Sequence, residues 1–171
     1  MENRMYTKIS YPCFYQGHWM DSLLELRYVL SIEKTHAWQR DDLQIYFSVN
    51  KNSESIKAEL RKYTPDFLIR NYQTGEAKLI EIKPQHFKDN RLLIRKKQIA
   101  ENFIQYFGYD WTFEIVFADQ IYLSQEVEKK YHQLIQDFKF GKHYPSPITL
   151  SQQASYVSFI REGVLSPEWN K

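Results

Sequence analysis

One cysteine, five glycines and six prolines in 171 residues rule out several architectures at once. A lone Cys13 excludes an internal disulfide and a cysteine-rich zinc site, and it suits a reducing compartment. So little Gly and Pro excludes collagen-like and low-complexity sequence. A dominant charge is missing too: 23 Lys and Arg face 21 Asp and Glu, a net of +2. Bulk charge therefore does not announce a nucleic-acid partner. Met1 to Tyr11 is polar with scattered charges, not the apolar core of a signal peptide. No apolar run approaches the ~20 residues that span a bilayer, so the expectation is a soluble, cytoplasmic protein with no membrane partner. The histidines (His18, His36, His86, His132 and His143) lack metal-ligand spacing, which argues against a His-based zinc site.

Aromatic residues, by contrast, are plentiful. Thirteen Tyr, 11 Phe and 4 Trp bring aromatics to 16% and hydrophobic residues to 43%, which excludes disorder for most of the chain. The length suits one domain. Residues 1–19 are aromatic-rich but aperiodic and read as an arm across it. Met20 to Glu33 carries Leu23, Leu24, Leu26, Val29, Leu30 and Ile32, a pattern dense enough for a largely buried helix starting near Asp21 or Ser22. From His36 the period changes to two, with Leu43, Ile45, Phe47 and Val49 predicting a strand. Polar residues 51–55 read as a turn, and Ile56 to Tyr63 as the next strand. A strand entered through Pro65, a hairpin at 71–76 and a strand at Ala77 to Lys83 follow. Asn90 to Phe107 predicts a helix with Leu92, Ile99, Phe103 and Phe107 on one face, Leu93, Ala100 and Ile104 beside it, and Gly108 as terminator. Thr112 to Ala118 reads as a strand, Ser124 to Phe138 as a helix, and 141–171 as a tail with one short helix near 152–160. This order predicts an α/β domain over 20–140, built on a mixed sheet.

Two short stretches carry chemistry: Tyr63-Thr-Pro-Asp66-Phe-Leu-Ile-Arg70 and Leu79-Ile-Glu81-Ile-Lys83-Pro84. Strand residues two apart share a face, so Glu81 and Lys83 stand together while Ile80 and Ile82 point away. Pairing the two strands through the hairpin brings Asp66 to the same end. Two carboxylates and a strand carbonyl, such as that of Ile82, are oxygen ligands suited to a hard cation. Lys83 beside them suits the handling of a water or of charge on a phosphate. Glu25, in a helix read as buried, admits two compatible roles. Ser22-x-x-Glu25 matches a capping box, in which Glu25 reaches back to the backbone of Ser22. It is equally a third acid for the pocket.

The helix Glu of Ser-Leu-Leu-Glu25, then Tyr-Thr-Pro-Asp66-Phe-Leu, then Glu81-Ile-Lys83-Pro84, resembles the PD-(D/E)XK nuclease superfamily. More narrowly, it is similar to the N-terminal catalytic domain of TnsA, the endonuclease subunit of Tn7-like transposases, over roughly residues 20–118. The resemblance implies a restriction-endonuclease-like core, a central mixed β-sheet flanked by helices. It implies a catalytic set of Glu25, Asp66, Glu81 and Lys83, with Mg²⁺ or Mn²⁺ held by Asp66, Glu81 and the carbonyl of Ile82. The reaction would be phosphodiester hydrolysis at the 5′ ends of a mobile element. Its partners would be DNA, a transposase subunit, an ATPase regulator and, for cutting both strands, a second copy of the chain. The family's second, C-terminal domain is expected to be missing at this length, as in a short stand-alone relative. The same residues also suit a restriction or Holliday-junction-resolving nuclease, or a non-catalytic DNA-binding subunit on a nuclease fold.

The near-neutral total hides segregation. Lys83, Lys88, Arg91, Arg95, Lys96 and Lys97 lie within fifteen positions holding one acid, Asp89, whereas Glu114 to Glu128 has acids and no Lys or Arg. Beside the motif, Lys88, Arg91, Arg95, Lys96 and Lys97 suit contacts to a DNA backbone; a solvated helix face would use the same residues. Phe103, Tyr106, Phe107, Tyr109 and Trp111 read as core rather than as a base-stacking platform.

Overall fold

A computed structural model describes residues 13–40, 43–50 and 58–139. The turn at 51–55, residues 1–12 of the arm and the tail at 141–171 lie outside the described residues. The described chain gathers into two compact units, one of residues 13–31 and 123–139, the other of residues 32–122. Both divisions fall inside the 20–140 stretch expected to form one domain.

The first unit opens with a hairpin where the sequence predicts an aperiodic arm. Strands β1 (Cys13–Tyr15) and β2 (His18–Met20) pair antiparallel. Their two-residue loop, Gln16 (φ 49°) and Gly17 (φ 84°), has the positive φ values that primed turns require. Strands of three residues are too short for alternation to show in a sequence. Helix α1 (Leu23–Ile32) buries Leu26, Val29 and Leu30, close to the expected helix. Its partner α3 (Gln125–Lys139) reaches it through Arg27–Glu128 at 2.8 Å and through the Tyr131 hydroxyl on the Leu23 carbonyl at 3.4 Å. Lys130 donates to the Tyr15 hydroxyl at 2.8 Å, tying in the hairpin.

The second unit is organised by a four-stranded mixed sheet in the order β3 (His36–Gln39), β6 (Phe67–Asn71), β7 (Ala77–Lys83), β8 (Trp111–Phe117). The first three pair antiparallel and β8 runs parallel to β7, as a crossover through helix α2 (Arg91–Phe107) demands. Strands β4 (Ile45–Asn50) and β5 (Ala58–Tyr63) form a separate ribbon. The mixed α/β class and the mixed central sheet match the sequence expectation. No helix among the described residues is long and apolar enough to cross a membrane.

Strand β7 is central and buried on both faces: Leu79 and Ile80 are wholly inaccessible and Ile82 nearly so, each worth about 1.5–3 kcal/mol of burial. Leu79 packs in a core with Ile45, Tyr63, Ala100 and Ile104, which seats α2 and the ribbon on that face. Two expectations shift here. Helix α2 buries Leu93, Ala100 and Ile104, whereas Leu92 and Phe107 of the face expected inward are exposed. The face is chosen by what packs on Leu79, which a helical period alone does not specify. In β5, Leu60 lies on the outward face, 69% exposed; the register Ile45↔Tyr63 and Phe47↔Arg61 turns the odd-numbered residues toward Ile45 and Phe47. The helix ends behave as read: Asn90 accepts from the Leu92 N–H at 2.9 Å, and Gly108 takes the left-handed conformation.

Candidate active site

The β6–β7 hairpin sets the geometry. Asn71 Oδ1 accepts the N–H groups of Gln73 (2.8 Å) and Thr74 (3.0 Å), closing the turn, and the Asn71 N–H donates to the Glu76 carbonyl at 2.9 Å. This fixes Phe67 opposite Ile80. One step beyond that pair, Asp66 meets the far end of β7, and its Oδ2 accepts the Ile82 N–H at 2.6 Å.

Glu81 stands on the α2 side of β7 with 1% of its surface exposed. A charge buried that deeply must be matched, and three groups match it. Lys83, two residues along the same face, approaches Oε1 at 2.6 Å and also donates to the Ile82 carbonyl at 3.0 Å. Lys96 reaches the same oxygen from α2. The Tyr63 hydroxyl donates to Oε2 at 2.8 Å, and the Lys96 ammonium lies 5.2 Å over the Tyr63 ring.

The electrostatics follow from this crowding. Burial and then the charge of Glu81 push the Asp66 carboxyl up to about 6, against Lys83, the Ile82 N–H and Arg40. Burial works in the same direction on Glu81, but Lys83 and Lys96 overcome it and hold its carboxyl below the usual range. Burial, followed by the Glu81 charge, raises the Tyr63 phenol, so it stays a proton donor.

Asp66, Glu81 and Lys83 are thus brought together as the sequence predicts. Glu25 belongs to the other unit. There its carboxylate accepts the N–H of Asp21 at 2.8 Å, while the Ser22 hydroxyl accepts the N–H of Glu25 at 3.2 Å. The capping contact lands on Asp21, one residue before the Ser22 backbone that the sequence motif indicates. The basic residues part company. Lys96 enters the site; Lys88 pairs with Asp119 at 2.9 Å, Lys97 lies 3.8 Å from Glu101, and Arg95 sits 5.7 Å over Phe47. Arg91 is exposed on the first turn of α2. The aromatic cluster divides: Phe103 and Trp111 are half-buried against the Leu79 core, as expected, whereas Tyr106 is 84% exposed, and Phe107 and Tyr109 are exposed as well. These rings lie where α2 ends and β8 begins, and they stack on one another, with Tyr109 and Trp111 4.1 Å apart.

Two site residues were missed by sequence reasoning. Tyr63 stands in the motif with no role that its type or spacing assigns, and Lys96 belongs by sequence to the basic run. The signal for Lys96 was present: Leu93, Lys96, Ala100 and Ile104 follow the 3–4 spacing of a helix stripe, with a lysine at an inward position.

The residues present fit a hard divalent cation. Asp66, Glu81 and the Ile82 carbonyl are the oxygen donors such an ion takes, and the charge of Glu81 adds to burial in raising the Asp66 carboxyl, so a cation between them would relieve both. Among the described residues, no three His, Cys, Asp or Glu side chains gather as a metal cluster, so water or substrate would complete the coordination. Comparison with protein-family models, curated proteins and solved structures finds no match to this chain. The resemblance noted above rests on its motifs alone.

Proposed function

We propose that the chain is a metal-dependent DNA endonuclease of the PD-(D/E)XK type, similar to TnsA, with the sheet of residues 32–122 as a restriction-endonuclease-like core. One observation carries the reading: an aspartate hydrogen-bonded at 2.6 Å to the backbone of the strand that presents Glu81 and Lys83 on one face. Asp66, Glu81 and the Ile82 carbonyl would hold Mg²⁺ or Mn²⁺, which supplies a more acidic water and charge stabilisation at a phosphate. Lys83, fixed by Glu81 and the Ile82 carbonyl, orients the attacking water and offsets charge on the phosphodiester. Arg91 and Arg95, on the first turns of α2, are candidates for the DNA backbone. By the same resemblance, a transposase subunit and an ATPase regulator would be its partners, in the cytoplasm. The part of Glu25 in the acidic set stands on the resemblance alone.

The test is nicking of supercoiled plasmid in Mg²⁺ or Mn²⁺, with folding followed by circular dichroism. Asp66→Ala and Lys83→Ala should abolish cleavage and keep the fold. Cleavage retained by either variant overturns the assignment. A wild-type protein inert on plasmid and on four-way junctions favours the non-catalytic scaffold instead.

A further inference from the structure

Lys96 sits where a metal site would not be expected to hold a competing cation. It projects from the edge of the buried stripe of α2, flanked by Leu93 and Ala100, onto the carboxylate oxygen of Glu81 that Lys83 already occupies. Asp66 and Glu81 contribute two negative charges against the positive charges of Lys83 and Lys96, with Arg40 also acting on Asp66, so the site has no negative charge to spare. Adding a divalent cation would leave at least two uncompensated positive charges in a partly buried space, a costly state at low dielectric. Losing one ammonium reduces that excess, and an incoming phosphodiester reduces it further. Lys83 has a second anchor in the Ile82 carbonyl at 3.0 Å. Lys96 has the Tyr63 ring, about 35% side-chain exposure and a helix that carries Arg91 and Arg95 on its preceding turns. It is the ammonium that can leave.

We infer that Lys96 is an exchangeable counter-ion of Glu81: it occupies the carboxylate in the metal-free protein, yields it when a divalent cation enters, and transfers to a phosphodiester of the incoming DNA. This rests on the proposed metal site and adds a regulation to it. Because the exchange links the two ligands, DNA must tighten metal binding and metal must tighten DNA binding by the same factor. Unlike Lys83, which stays on Glu81 and the Ile82 carbonyl, Lys96 trades its contact to Glu81 for one to the DNA backbone.

Calorimetric titration of the whole chain with Mn²⁺, with and without a short phosphorothioate-substituted DNA duplex that resists cleavage, tests it. The wild type should bind Mn²⁺ about tenfold more tightly with DNA, a coupling of about 1.4 kcal/mol. Lys96→Met, which keeps the length and removes the charge, should bind Mn²⁺ about tenfold more tightly than wild type without DNA and gain little when DNA is added. Lys96→Arg should keep the coupling, and Lys96→Gln replaces Lys96→Met if the latter fails to fold. Equal or weaker Mn²⁺ binding by the neutral variants, or a wild-type affinity indifferent to DNA, overturns the exchange while leaving the metal site intact. Absence of Mn²⁺ binding by wild type, or binding unchanged in Asp66→Asn and Glu81→Gln, overturns the metal site itself and the exchange with it.

Discussion

Asp66 and Ile82 are joined by a 2.6 Å hydrogen bond from backbone N–H to carboxylate, so the loop entering β6 is pinned to the strand that carries Glu81 and Lys83. The bond helps to hold Asp66 ionised, while burial and the neighbouring Glu81 oppose ionisation more strongly. The two acids are thereby held in unequal states, one pushed up and one held down.

A pH dependence follows. In chelator, the Asp66 carboxyl is raised from 3.8 to about 6, so the folded protein holds this proton more tightly than the unfolded chain does. Its stabilising contribution is complete below the unfolded value and is lost as pH rises through about 6. Asp66→Asn removes that loss and keeps an acceptor for the Ile82 N–H. The stability of the variant relative to wild type should therefore rise across the window by up to about 3 kcal/mol, roughly two pKa units at ~1.4 kcal/mol each. Urea unfolding in EDTA across that pH range measures it; a difference that stays flat refutes it.

The Tyr63 hydroxyl contact to Glu81 at 2.8 Å gives a second expectation. Tyr63→Phe removes one donor from a buried carboxylate that keeps both lysines, and should cost about 1–2 kcal/mol in denaturant unfolding. Glu81→Ala instead leaves two ammonium groups without their carboxylate and should cost about 3 kcal/mol or more. Equal losses in the two variants would contradict the arrangement.

Gly108 closes α2 at φ 66°, with no atom within 4 Å of where a side-chain carbon would sit. Gly108→Ala should therefore destabilise through backbone strain alone, by about 1 kcal/mol, seen as a lower urea midpoint at unchanged slope. A neutral outcome would mean that the helix ends differently.

The rings of the aromatic cluster separate by depth. Tyr106→Ala should change stability by less than about 0.5 kcal/mol, whereas Phe103→Ala, whose ring packs on the Ile104 and Leu79 core, should cost about 2 kcal/mol or more. Comparable losses at both positions would extend the core to the Tyr106 end of the cluster.

Much of this was legible because local chemistry and global fold agree. The β6–β7 hairpin announces itself through Asn71-Tyr-Gln-Thr-Gly75 between two apolar runs, and with it the meeting of Asp66, Glu81 and Lys83. What escaped is either too short for a period to show or decided by contacts distant in sequence. The three-residue strands β1 and β2 are shorter than any period, and the buried face of α2 is decided by Leu79 rather than by the helix. Lys96 was hidden in a basic run because charge alone does not say which ammonium turns inward; the apolar neighbours at 93, 100 and 104 do.

Helix α2 also works as a ruler. Lys96 reaches Glu81 because it stands one turn before Ala100 on the stripe that seats the helix. Insertion of a single neutral residue between them would swing the ammonium about 100° around the axis, leaving every charge of the chain in place. For this stretch of chain, length carries information in its own right: substitutions are graded in their effects, but a change of spacing disconnects the helix from the strand it serves.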